Sequence, residues 1–316
     1  MGRVAVAAIV AVAVVFVAIG FAVYREVGST FFGDDCTAEV GDQEVGLETE
    51  QAENAALIAA IGVERGLPAR AVTIALATAI QESKLVNIDY GDRDSLGLFQ
   101  QRPSQGWGTE EEILNPLLST HKFYDALVEV DDYLEMSIND AAQEVQRSGH
   151  PDAYADHSVD AQTLSSALTG RTPEAFACDV QRGGDGPTEL TKSGLTERAD
   201  QVRRELRAVF GKPPMGGFAP GGVQTGHMPG SAHYEGRAVD VFVRPVSKQN
   251  RRLGWAMAHY LMAQADRLKI EHIIFDDRIW SAGLRSGKGW RDYDPPSSSG
   301  DMTILEHRDH VHVDVG

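Results

Sequence analysis

Two short segments of this chain alternate between valine and other residues with a period of two. From Ala238 the sequence reads A-V-D-V-F-V, so Val239, Val241 and Val243 share one face of a strand and Ala238, Asp240 and Phe242 the other. From His310 it reads H-V-H-V-D-V, with Val311, Val313 and Val315 on one face and His310, His312 and Asp314 opposite. Longer apolar periodicities predict helices over 48–66, 68–83, 113–136, 140–149, 160–168, 196–210 and 251–268, with a further strand at 272–275. Pro68 stands where a first-turn proline is tolerated, and Val72, Ile74, Leu76, Ala79 and Ile80 supply the apolar face behind it. Gly- and Pro-rich stretches break the pattern after Asp179 and again over 212–230.

One segment has no periodicity. Val4 to Val23 is almost uninterruptedly apolar and uncharged, and about 20 residues at ~1.5 Å each cross a hydrocarbon core of about 30 Å. Arg3 precedes the run and Glu26, Asp34 and Asp35 follow it, a bias that favours an inside amino terminus with the bulk of the chain extracytoplasmic. The expectation is an uncleaved single-pass membrane anchor over 1–30, with a cleaved signal peptide as the alternative; either exports the chain. Cys36 and Cys178 are the only cysteines, and in an exported protein such a pair is expected to form a disulfide. The net charge of −17, with no clustered Lys and Arg, argues against a nucleic-acid partner.

The polar faces of the two valine strands carry the candidate chemistry. His233 lies seven residues before Asp240, with Gly236 between them for a sharp turn. Paired in one sheet, the strands would bring His233, Asp240 and His312 together. Two imidazoles and a carboxylate, with a fourth position left for water, is the donor set of a catalytic zinc site. Asp309 and His310 stand just before His312. Alternation puts His310 on the face of His312, whereas Asp309 would point into the valine layer unless the strand begins only at His310. A second candidate is Glu82, in the Q-E-S that ends the helix 68–83. A carboxyl partly desolvated there retains its proton and can serve as a general acid, although a lone glutamate on a helix is ordinarily surface charge.

The pattern S-x-H-x-x-G-x-A-x-D at Ser231–Asp240, followed by H-x-H at His310–His312, resembles zinc peptidases related to D-alanyl-D-alanine carboxypeptidases, L,D-endopeptidases and the hedgehog domain. That resemblance implies Asp309 or His310 as the proton-handling group, and the alternation favours His310. The stretch upstream of Ser231, 217–230, contains no arginine where those peptidases grip substrate. Q-E-S followed by G-L-F-Q-x-x-P resembles the lysozyme-like domain of soluble lytic transglycosylases. That resemblance implies Glu82 as acid/base and Ser83, Gly97 and Gln100 as groove-forming, substrate-binding residues. Together the two imply a peptidoglycan-remodelling enzyme that cuts glycan with its first domain and, using zinc, the peptide stem with its second. The implied architecture is an amino-terminal transmembrane helix (1–30), a mainly-α lysozyme-like domain (31–178), a linker (179–195) and an α+β zinc domain with a small antiparallel sheet (196–316). The alternatives are a membrane-tethered wall-binding scaffold with degenerate sites, or a zinc domain that serves protein partners.

Overall fold

The structure, a computed structural model, describes residues 36–150, 152–295 and 299–316. The apolar run over 4–23, and with it the expected anchor, lies outside the described residues. Among those described, no helix is long and apolar enough to cross a membrane.

The first half opens with a hairpin, β1 (Cys36–Val40) and β2 (Gln43–Leu47), paired antiparallel. Helices α1 (Thr49–Glu64) and α2 (Ala69–Ser83) follow, separated at Pro68, which precedes the first helical residue of α2 in an extended conformation. Next come α3 (Pro116–Val128), α4 (Ile138–Gln146) and α5 (Ser158–Leu168), and then β3 (Phe176–Cys178), which returns to pair with β1. That register sets Cys36 opposite Cys178, and the two form a disulfide across 142 residues of sequence. Ile58 and Ile61 of α1 and Ile74 and Leu76 of α2 are fully buried, and Phe99 stacks on Phe123 with centroids 4.5 Å apart.

In the second half, α6 (Glu197–Val209) precedes a six-stranded antiparallel sheet. Its strands are β4 (Met215–Gly216), β5 (Ala238–Phe242), β6 (Ile270–Phe275), β7 (Arg278–Ser281), β8 (Arg291–Asp292) and β9 (His310–Val315), in the order β4-β5-β9-β6-β7-β8. Helix α7 (Lys248–Ala263) connects β5 to β6 and is buried without interruption from Gly254 to Ala263. A helix apolar on all sides needs cover on all sides. The sheet supplies one side through β6 and β9, and α1 and α5 of the first half supply the other, so both halves share one core. Polar groups on α7 are satisfied across this junction: His259 Nδ1 donates to the Ala167 carbonyl at 2.9 Å and Gln264 Nε2 to that of Glu53 at 3.1 Å. Burial pushes the His259 imidazole down to about 4, so it stays neutral.

The structure corrects the expected fold class. The chain is mixed α/β with two antiparallel sheets, of three and six strands, rather than a mainly-α domain joined to one with a small sheet. Of the missed strands, β4 and β8 have two residues each and β3 three, too few for a period to show. The β6–β7 turn uses Asp276 and Asp277, both at positive φ, where Asn-Gly or Asp-Gly would have advertised a hairpin. The helix expected over 113–136 is a single turn, Glu110–Ile113, followed by α3. Asn115 caps α3 by accepting from the Leu117 and Leu118 amides, and Pro116 starts it. Trp280 and Trp290 are packing residues. Trp280 is buried with its indole N–H on the Ser286 carbonyl, and Trp290 donates to the Phe176 carbonyl at 3.1 Å.

The disulfide joins the edge strand β3 to the hairpin, so replacing both Cys36 and Cys178 by serine is expected to destabilise the protein by about 2–5 kcal/mol. Thermal denaturation measures this, and an unchanged midpoint contradicts it.

Candidate functional site

The pairing of β5 with β9 sets Asp240 directly opposite His312 and Phe242 opposite His310. Val239, Val241, Val311 and Val313 turn to the core, leaving the other face to a cavity of about 610 Å³. His233 reaches this face from a short 3-10 turn, Ala232–Glu235, whose entry is capped by Ser231 Oγ accepting the His233 amide. The turn ends at Gly236 in the left-handed region (φ 68°), where a Cβ would lie 2.8 Å from the Gly194 carbonyl oxygen. Glycine is therefore required there on two grounds.

Hydrogen bonds fix which nitrogens face the site. His233 Nδ1 lies 2.8 Å from the Gly217 carbonyl, which can only accept, so Nδ1 carries the proton and Nε2 presents a lone pair. Gly217 has φ 79°, and a Cβ on it would lie 2.5 Å from that same Nδ1. His312 has a carboxylate on each side, Asp240 Oδ1 3.0 Å from Nδ1 and Asp314 Oδ2 3.4 Å from Nε2; with a cation between Nδ1 and Asp240, Asp314 holds the remaining proton on Nε2 and leaves Nδ1 a lone pair. His233 Nε2, His312 Nδ1 and Asp240 Oδ1 then stand 3.0–3.2 Å from one another. Around an ion with ligand distances of about 2.0–2.2 Å, tetrahedral edges are about 3.3–3.6 Å, so a small outward relaxation accommodates it. Three acceptors aimed at one point repel unless a cation sits between them, and the donor set is that of a zinc site. The residues present thus fit a divalent metal. Without a metal, a proton takes its place. Burial disfavours charge on His312, but hydrogen bonds with Asp240 and Asp314 prevail and lift its imidazole to about 9. Burial likewise opposes ionisation of Asp240, yet its bonds with His233 and His312 hold the carboxyl far below the ordinary range. His227 comes within reach of His233 and Asp240. Its ring stacks on that of His233 at 3.9 Å, whereas His312 makes the tighter donor contacts.

Both proton-handling candidates stand next to this group. β9 begins at His310, so Asp309 escapes the valine layer. Its carboxylate accepts from His310 Nδ1 at 2.7 Å and from Arg244 Nε at 2.6 Å. Burial pushes the Asp309 carboxyl up, but these two partners pull it below its usual value, leaving it ionised. His310 Nε2 is left facing Asp240 Oδ1 at 3.9 Å. His307 packs beside His310, with centroids 4.7 Å apart, and against Tyr293 at 5.0 Å. Burial, reinforced by His312 and His310, pushes it down to about 3, so it forms a neutral wall. The structure adds Arg244, His307, His272 and Asp314 to the surroundings of this site. The H-x-x-H spacing of His307 and His310 was the available signal; Arg244 lies past the end of β5 and gave none.

In the first half, Glu82 occupies the last turn of α2, and Tyr154 Oη donates to its Oε1 at 2.5 Å. Burial pushes the Glu82 carboxyl up, against hydrogen bonds from Tyr154 and Gln146. Gln146 also donates to the Phe99 carbonyl at 2.7 Å and lines a cleft of about 850 Å³ that includes Trp107. The expected groove residues act at one remove. Buried Ser83 gives its hydroxyl to the Leu98 and Ala79 carbonyls, tying the G-L-F-Q loop to the end of α2. Gly97 (φ 75°) donates its amide to the Ile88 carbonyl, and Gln100 Nε2 bonds the carbonyls of Tyr90 and Gly97 at 3.3 Å.

The family model described as the VldE C-terminal domain matches residues 191–303. This stretch, a little over a third of the chain, contains His233, Asp240 and His272 and ends before Asp309, His310 and His312. It does not extend to Glu82. No curated protein matches the chain.

A carboxyl whose pKa is raised by burial contributes stability that is fully present below its unfolded value near 4.5 and is lost as the pH rises through the folded value. Glu82→Gln removes the titration, so the variant should gain stability relative to the native protein between about pH 4 and pH 7. Urea unfolding at both pH values measures the difference, and a pH-independent difference would show that Glu82 is not desolvated.

Proposed function

We propose that this chain is an extracytoplasmic peptidoglycan hydrolase with two reaction centres, a zinc-dependent one for the peptide stem and Glu82 for the glycan. The observation that carries the reading is the convergence of His233 Nε2, His312 Nδ1 and Asp240 Oδ1 on one point beside His310. When bound there, zinc supplies a Lewis acid that polarises a carbonyl and lowers the pKa of a water towards ~7. The chain's own residues handle the proton. Asp309 holds His310 in the Nδ1–H tautomer, so that Nε2 faces the cavity as a base and, once protonated, can return the proton to the leaving amine. Arg244 neutralises Asp309 and fixes its orientation, which makes Asp309 and Arg244 positioning residues. At the other centre, Glu82 protonates the glycosidic oxygen and then takes a proton from a sugar hydroxyl or water. The Cys36–Cys178 disulfide supports a location outside the cytoplasm, because such bonds persist in oxidising compartments.

With purified peptidoglycan, His312→Ala should lose both metal and peptide cleavage. His310→Ala should keep the metal while its peptide cleavage falls about 10²–10⁴-fold. Asp309→Asn should keep the metal with a smaller loss. A fully active His310→Ala alongside an inactive Asp309→Asn would transfer the role of base to Asp309. Glu82→Gln should abolish glycan products and leave peptide products unchanged, as read by mass spectrometry of the soluble fragments. Native yields of glycan fragments from that variant would remove Glu82 from the mechanism.

A further inference from the structure

A second group of donors lines the same cavity. Asp314 follows His312 on the same face of β9, and β9 pairs on its other edge with β6. The β6–β9 register shifts between Ile270 and His272, which makes Glu271 the extra residue of a bulge. Neighbours on a regular strand point to opposite faces, and a bulge re-aims one of them. Here it lets consecutive residues, Glu271 and His272, contribute to one cluster with Asp314, their donor atoms all within 4.8 Å of one another. His272 Nδ1 stands 2.9 and 3.2 Å from the two Asp314 oxygens.

Charge balance points the same way. The ion pairs of Asp240 and Asp314 run to imidazoles: His233, His310 and His312 for the first, His272 and His312 for the second. The guanidinium nearest Glu271 is that of Arg182, a mostly exposed side chain 3.5 Å away. Three carboxylates therefore face one cavity, and the two most buried have imidazole partners. An imidazole must take up a proton to balance a carboxylate, whereas a divalent ion does so directly and uses the same lone pairs. The imidazole of His312 stands between the two groups, with Nδ1 toward Asp240 and Nε2 toward Asp314.

We propose that Glu271, His272 and Asp314 bind a second divalent cation next to the His233/Asp240/His312 centre. A mixed nitrogen and carboxylate set of this kind suits Zn²⁺ or Mn²⁺. The second ion stiffens β9 behind His312 and adds positive charge to the cavity that receives the substrate. Its presence does not depend on which bond the protein cleaves.

The test is zinc stoichiometry in the full chain, purified without a polyhistidine tag, stripped with chelator and titrated with Zn²⁺ under native mass spectrometry. The expected result is two ions per native chain and one in Glu271→Gln, in His272→Ala and in His233→Ala. Glu271→Gln is nearly isosteric, and His272 is about one-third exposed, so both variants should fold. A single ion in the native chain overturns the second site and leaves the first standing. No ion at all overturns both. Two ions retained in both Glu271→Gln and His272→Ala also overturn it. So does loss of both ions from Glu271→Gln, because that side chain is not a donor of the first centre.

Discussion

Two hydrogen bonds behind the metal-facing atoms set the state of everything in front of them. The Gly217 carbonyl takes the Nδ1 proton of His233, and the Asp314 carboxylate takes the Nε2 proton of His312. In those tautomers each ring turns a lone pair toward the point beside Asp240 Oδ1 where a bound cation would sit. Were either tautomer reversed, an N–H would take the place of that lone pair, and affinity for a metal would fall. The Gly217 carbonyl can approach His233 because residue 217 has no Cβ. The Asp314 carboxylate is in place because β9 alternates regularly between core and cavity.

The rigidity of that arrangement comes from outside the second half. Helix α7 presses on β6 and β9 from behind, and α1 and α5 press on α7. With His259 and Gln264 bonded to carbonyls of the first half, displacement of α7 would leave buried polar groups without partners. The two candidate centres, remote in sequence, thus rest on one shared helix, and loosening the first half is felt at the His233/Asp240/His312 face through packing alone.

How far the sequence revealed this depended on whether a residue obeyed a period. His233, Asp240 and His312 were legible because a strand alternates every two residues and valines marked the core face. The β5–β9 register then brought them together. The bulge at Glu271 breaks the period and conceals its own consequence, since a strand read from His272 onward leaves Glu271 out. Tyr154, the partner of Glu82, is 72 residues away on an irregular segment, and no local pattern connects the two. In the three-stranded sheet of the first half, β3 has only three residues, below the four or more over which alternation is counted, and β2 carries Val45 and Leu47 as its only apolar side chains. The motif residues Ser83, Gly97 and Gln100 were legible as important, but their work is to hold the loop beside Glu82 to the helix end.

The position of β9 bears on how the protein is made. It lies inside its sheet, between β5 and β6, yet follows every other strand of that sheet in the chain. The chain makes β5 and β6 before the strand that lies between them, and His312, His310 and Asp314 all enter with that strand. Until β9 is in place the chain offers only His233 and Asp240 of the first donor set, so under the proposed reading a metal would be captured only once the sheet is complete.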